Sequence, residues 1–283
     1  MTISERSPEF DDDRPEGEGG GDGRPPLALV TGASSGIGRA FALRLGADGY
    51  NLIVAARRRD RLEDLVAALP NVKVRPMVAD LGTDAGVEAV AAVCEGEALD
   101  LLVNNAGVAH YMPFGALPAD KASELLHVKV VAPTLLARAA VPGMVARGEG
   151  TIINVAGMLA FSGPAPVDKL PLPRAVYTAT LAHIVALSQA LHEELKSRGV
   201  RVQALLPGVV ATEFHTRQGL DLGAVPRMSA DDVVTASLRG LELGEVLCAP
   251  GVERADLLDA VSNAHVAAFA AQSPQLAARY REP

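Results

Sequence analysis

What most constrains this chain is an alternation of short, uninterrupted apolar runs with longer stretches of helical character. The runs Leu27–Thr31, Leu52–Ala56, Val72–Val78, Leu99–Val103, Thr151–Val155, Val200–Leu206 and Val246–Ala249 have the length of strands. A strand that is apolar at successive positions, instead of alternating with polar residues, is buried on both faces. Between the runs lie Gly36–Asp48, Arg59–Leu69, Asp84–Cys94, Ala119–Val145, Arg174–Arg198 and Ala230–Leu243. In the first of these, Ile37, Ala40, Phe41 and Leu45 share one helical face. The stretch from Glu253 onward also reads as helical. Strand, helix and strand in regular succession predict an α/β fold with a doubly wound parallel sheet of about seven strands and helices on both faces. No internal repeat interrupts residues 27–283, which are read as one domain.

Composition narrows the function classes. Hydrophobic residues make up 49% of the 283, enough to fill a large core and to exclude global disorder. Residues 1–26 differ: eight acids against three arginines carry −5 of the net charge of −8. The Gly/Glu/Asp-rich part from Glu16 to Gly23 has no apolar face to bury, so 1–26 is expected to be a disordered acidic tail. Its polar start does not match a secretory leader and suggests the cytoplasm. No stretch is read as the ~18 apolar residues of a membrane helix, and the acidic balance argues against nucleic acid as a partner. Two cysteines, Cys94 and Cys248, make neither a disulfide framework nor a zinc site and read as inert core residues. No metal is expected.

The segment Thr31-Gly-Ala-Ser-Ser-Gly-Ile-Gly38 joins the first strand to the first helix. Gly32 permits a tight turn, and Gly36 and Gly38 let the backbone approach a pyrophosphate at the positive end of the helix. Ordinary turns also use glycine; the position between strand and helix is what gives the motif weight. The second strand ends Val54-Ala-Ala-Arg-Arg-Arg59. An NAD site places an acid there to hold the ribose 2′-hydroxyl. Here Ala56 takes that place and Arg57 follows, and a guanidinium suits a 2′-phosphate, so NADP is favoured. Arg59 reads as a solvated helix start.

With Asp80-Leu81 after the third strand, Asn104-Asn-Ala-Gly107 after the fourth, Tyr177 opening a long helix and Pro207-Gly208 with Thr212 after the sixth strand, the chain resembles the short-chain dehydrogenase/reductase family over about residues 27–250. The resemblance implies a Rossmann-like sheet and NADP(H) as cofactor. It implies cofactor contacts from Thr31, Gly32, Ser34, Gly36, Ile37, Gly38, Arg57, Asp80, Leu81, Asn104, Ala106, Gly107 and Tyr177. Asp80 would lie near the adenine, and Pro207, Gly208, Val210 and Thr212 would wrap the nicotinamide end. The helices at 119–145 and 174–198 would form the interface of a homodimer or homotetramer.

The family runs on an Asn, Ser, Tyr and Lys, and three of the four are replaced here. Tyr177-Thr-Ala-Thr-Leu181 puts a leucine at the lysine position, Gly157 stands at the serine position and Lys129 at the asparagine position. A free tyrosine titrates near ~10, and Leu181 brings no charge and dries the site, which disfavours tyrosinate. Lys129 shares a helical stripe with Leu125, Ala132 and Leu136. Pro133 cannot donate to the Lys129 carbonyl, so a kink is expected there. Either Lys129 replaces the lost cation or it snorkels to solvent beside the kink. His110 and Tyr111 read as loop surface or as pocket wall, His183 as structural, and Asp168-Lys169 as a solvated pair. The proline-rich loop (Pro164, Pro166, Pro171, Pro173) leaves Ser162 able to approach the site. The apolar segments Val108–Leu117 and Met158–Leu172 suggest a hydrophobic small-molecule ligand.

Three functions fit. The first is an NADP(H)-binding enzyme of non-redox or strongly altered chemistry, with Tyr177 and Lys129 as its catalytic residues. The second is an NADPH-dependent carbonyl reductase with the lysine charge relocated to Lys129. The third is a non-catalytic NADP-binding or partner-binding protein.

Overall fold

A computed structural model describes residues 23–166, 172–222 and 224–281. Asp168, Lys169 and Pro171, and the acidic tail up to Asp22, lie outside the described residues. In chain order the elements are β1 (Leu27–Thr31), α1 (Gly36–Ala47), β2 (Asn51–Ala56), α2 (Arg59–Ala67), β3 (Val74–Val78), α3 (Asp84–Gly96), β4 (Leu101–Asn104), α4 (Ala119–Leu126), α5 (Ala132–Arg147), β5 (Gly150–Val155), α6 (Ala175–Leu195), β6 (Val200–Leu205), α7 (Phe214–Arg217), α8 (Ala230–Glu242), β7 (Leu247–Cys248) and α9 (Asp256–Ala270).

The seven strands form one parallel sheet in the order β3-β2-β1-β4-β5-β6-β7. This is the Rossmann-like doubly wound arrangement expected from the sequence. The order in which strands are added reverses between β1 and β4, and ligands of such sheets bind beyond the carboxyl ends of the strands at that point. Alternate strand residues feed two cores. Ala28, Val30, Leu52 and Val54 pack with Phe41 and Leu45 of α1, Leu62 and Leu65 of α2 and Val233 and Val234 of α8. Leu29, Ile53, Leu102 and Ile152 pack with Val87 and Val90 of α3, Leu136 and Met144 of α5 and Leu195 of α6.

Four expectations are corrected. The fold begins before Leu27: Arg24 reaches Asp100 through Nη1 at 2.8 Å and Nη2 at 2.9 Å, and Asp100 also accepts from the Leu27 amide at 2.6 Å. The third strand starts at Val74 and is half exposed, an edge strand that tolerates Pro76. The long helix from Ala119 is three pieces, because a π-helical segment, His127–Val131, separates α4 from α5. The Ala132 amide bonds to the His127 carbonyl, five residues back, so the widened turn absorbs Pro133, which has no amide hydrogen to give. Finally, the run Ala119–Arg147 is long and apolar enough to cross a membrane by length and composition, contrary to the sequence reading. Half of its most apolar 18-residue window is buried inside this fold.

Candidate active site

Beyond the carboxyl ends of the strands lies a cavity of about 950 Å³, lined from the β1–α1 loop across the sheet to the segment after β6. Gly32, Ser34, Gly36, Ile37, Arg57, Asp80, Leu81, Ala106, Gly107, Lys129, Tyr177, Pro207, Gly208, Val210 and Thr212 all contribute to its wall. The turn at its head depends on Gly32, at φ +65, where a side chain would also meet Asn105 at 2.8 Å. Gly36 and Ile37, in the first turn of α1 whose amides no helix can pair internally, line it.

Three residues assigned to the cofactor by resemblance also pack the protein behind this wall. Thr31 is 1% exposed. Its hydroxyl accepts from the Asn105 and Ala106 amides at 2.9 and 3.0 Å and so pins the Asn-Asn-Ala-Gly turn to β1. At Gly38 an added Cβ would strike Asn105 at 2.4 Å, so this glycine serves the packing of helix against turn. Asn104 is buried, and its Nδ2 donates to Asn154 Oδ1 at 2.9 Å. Asn154 Nδ2 donates in turn to Ser188 Oγ at 3.0 Å, making a polar chain through β4, β5 and α6. Asn105, which the sequence reading passed over, lines the cavity.

The arginine nearest the glycine loop is Arg58. Its Nη2 lies 3.0 Å from Ser34 Oγ, 2.9 Å from Ser35 Oγ and 2.8 Å from Glu213 Oε1. Arg57 is half exposed and faces the other way, 3.7 Å from Glu124 and 4.0 Å from Asp80. Burial works against the Glu213 carboxylate, but hydrogen bonds from Arg58 and Ser35 and the charges of Arg58 and Arg217 hold it below the usual carboxyl range. Beside the loop the site therefore offers the Arg58 guanidinium and the Ser34 and Ser35 hydroxyls, with Arg57 on the opposite edge.

At the other end Lys129 is buried, 5% exposed. Its Nζ donates to the Val155 carbonyl at 3.2 Å. It also lies under Gly107, where an added Cβ would be 2.7 Å from Nζ. The glycine of the Asn-Asn-Ala-Gly turn thus makes room for the amine, at the carboxyl ends of β4 and β5. No carboxylate faces the amine among the described residues, and burial pulls its pKa down to about 8. Tyr177 is buried in a third apolar cluster with Leu125, Val128, Leu181 and Leu206. Burial first, then the neighbouring Tyr111 phenol, raises its pKa above that of a free tyrosine. Gly157 presents no hydroxyl; a Cβ there would meet only Pro207 O at 3.5 Å and Leu181 Cδ1 at 3.6 Å.

The remaining candidates are placed as follows. His110 and Tyr111 form part of the cavity wall, and His110 Nε2 is 2.9 Å from Glu124. Ser162 also lines it, with its hydroxyl donating to Leu159 O and accepting from Arg174, each at 2.8 Å. His183 joins α6 to Thr134 of α5 at 3.0 Å. Burial raises both cysteine thiols to about 12, which leaves them unreactive. Among the described residues no group of three potential metal ligands occurs.

These residues fit a nicotinamide dinucleotide: a glycine loop on a helix start, guanidiniums beside its outer end, and an elongated cavity that runs on to a tyrosine. The fold and the site define a dinucleotide-binding α/β protein. The short chain dehydrogenase family model matches residues 26–222, and the chain belongs to that family, whose members bind NAD(P). It is 33% identical over 223 residues to a very-long-chain 3-oxoacyl-CoA reductase of Mus musculus, covering 76% of this chain and 68% of that protein. To the reductase of the same description from Homo sapiens it is 30% identical over 203 residues, 69% of this chain and 63% of the other. The chain thus spans about two thirds of the length of these curated relatives. A short-chain dehydrogenase from Sphingobium yanoikuyae in complex with NADPH superimposes with a TM-score of 0.85 at 34% identity, covering 90% of this chain and all of the other. A bulky-bulky ketone specific alcohol dehydrogenase from Comamonas testosteroni gives 0.81 at 29% identity, covering 91% of this chain and 99% of the other.

Proposed function

We propose that this chain is an NADP(H)-dependent reductase of bulky, hydrophobic carbonyl compounds in which Lys129 supplies the cation usually carried at position 181. The observation that carries the reading is the Lys129 amine, buried between Gly107 and the Val155 carbonyl in the wall of the cavity that also holds Tyr177. Bound NADPH would supply the hydride. Ser34, Ser35 and the guanidiniums of Arg57 and Arg58 would hold its 2′-phosphate end. Tyr177 gives its proton to the carbonyl oxygen; burial keeps the phenol protonated but makes it a weak acid, so the transfer depends on a cation that stabilises the phenolate. The ammonium of Lys129 offsets the charge of the phenolate left behind. The apolar wall, with Tyr111, Met158, Leu159 and Phe214, receives the hydrophobic part of the substrate and excludes water. The named activities of the mouse and human relatives and of the Comamonas neighbour support a carbonyl as the reacting group.

The test is NADPH oxidation followed by absorbance, with hexanophenone and a long-chain 3-oxoacyl thioester as substrates. Turnover that falls as pH rises through about 8, where Lys129 loses its proton, is the expected result. Failure to oxidise NADPH with either substrate would refute the reading. Gly157 and Leu181 favour the second reading, a non-redox reaction in the same pocket. That reaction would consume the carbonyl compound while NADPH stays unchanged.

A further inference from the structure

We infer that Tyr111 is a catalytic residue of this site, its hydroxyl donating the second hydrogen bond to the substrate oxygen that Gly157 leaves unsupplied. The inference rests on the reductase reading and deepens it. The ring of Tyr111 stands edge-on to that of Tyr177, with centroids 5.5 Å apart and planes at 81°. Both residues also line the same cavity. A substrate oxygen bound at the Tyr177 hydroxyl therefore has the Tyr111 ring as its neighbour in the cavity wall.

The turn after β4 fixes this placement. Tyr111 lies four residues beyond Gly107, in the wall of the cavity, and packs in the apolar cluster that holds Tyr177, Leu181 and Ala156. Burial pushes Tyr111 up to about 12, with the neighbouring Tyr177 phenol opposing it. The phenol is thus a donor throughout the neutral range. The other wall hydroxyl near Tyr177, that of Ser162, is already committed to Leu159 O and Arg174. In the reduction the Tyr177 O–H bond breaks and its proton goes to the substrate oxygen, while the Tyr111 O–H stays intact and steadies the charge that builds there.

Calorimetry on the full chain loaded with NADP⁺, which gives no hydride, tests this apart from turnover. Hexanophenone is compared with hexylbenzene, which lacks the oxygen. The ketone is expected to bind more tightly. Tyr111→Phe keeps the ring and should weaken the ketone about five- to tenfold while leaving hexylbenzene unchanged. In steady-state assays with NADPH the same substitution should lower kcat about a hundredfold. Gly157→Ser in that background should restore part of it, since a Cβ at 157 makes only ordinary contacts. Equal affinities for ketone and hydrocarbon in the unsubstituted chain would overturn the inference. So would a Tyr111→Phe variant with unchanged ketone affinity and kcat. A ketone affinity that depends on Tyr111 without any NADPH oxidation would keep Tyr111 as the donor and discard the reductase reading.

Discussion

Replacing Lys129 with methionine should make the protein more stable and, at the same time, inactive. Burial lowers the amine from 10.5 to about 8, so the folded chain carries the ammonium at a cost of roughly 3 kcal/mol at neutral pH. Methionine has nearly the same length and brings no charge. It forfeits the hydrogen bond from Nζ to Val155 O, roughly 1 kcal/mol. The net expectation is a gain of about 2 kcal/mol at pH near 7. For a chain of this size that is about 4–8 °C in Tm. The sign follows from proton counting. Below about pH 8 both the folded and the unfolded chain hold the proton and the full penalty applies. Between about 8 and 10.5 the unfolded chain binds more protons than the folded one, so the unsubstituted protein gains stability as pH rises. Above 10.5 the penalty is gone and the variant should be slightly the less stable. Urea denaturation of both proteins without cofactor, near pH 7 and again near pH 10.5, reads the crossover. A variant that is destabilised equally at both pH values would refute the reasoning, because the amine would then be a structural hydrogen-bonder and not a buried charge.

Three further expectations follow from the geometry. Arg58→Ala should cut the preference for NADP over NAD about tenfold or more, the worth of a charge-assisted bond to a phosphate; Arg57→Ala should cut it less, and calorimetry with both dinucleotides compares them. Asn154→Val, which removes the partner of Asn104 Nδ2 and of Ser188, should cost about 2–4 kcal/mol in urea denaturation. Leu181→Lys alone should lower stability, because it puts a second ammonium into the cluster around Tyr177 without a carboxylate to meet it; a thermal melt at neutral pH measures the loss.

The sheet was legible in the sequence because seven apolar runs admit few other arrangements, and the glycine turn was legible because Gly32 and Gly36 need backbone angles that other residues avoid. Lys129 was traceable through its stripe with Leu125, Ala132 and Leu136, all four of them buried. Other features depend on distances that no local pattern encodes. Successive residues at the end of β2 point to opposite sides, so the sequence alone did not tell whether Arg57 or Arg58 turns to the loop. The π-helical turn at His127–Val131 follows from Pro133 only once the neighbouring strands fix the helix axis. The roles of Thr31 and Asn104 were hidden because both sit beside cofactor motifs, yet the Thr31 hydroxyl and the Asn104 Nδ2 bond to the protein. The facing of Tyr111 and Tyr177 joins residues 66 positions apart by their numbering, which only the closed fold brings together.

The Asn104–Asn154 pair has a consequence for how the strands find their alignment. In the β4–β5 ladder the two asparagines are direct partners. A slip by one residue would set Asn104 opposite Ile153 or Val155 and leave an amide facing hydrocarbon, at a cost of roughly 1–3 kcal/mol for each orphaned group. Apolar strands of Leu, Ile and Val penalise such a slip weakly, since one branched side chain packs much like the next. The pair therefore acts as an index mark between two otherwise interchangeable strands. Val155, whose carbonyl receives the Lys129 amine, directly follows Asn154, so the accuracy with which that amine is positioned is inherited from an amide contact one residue behind it.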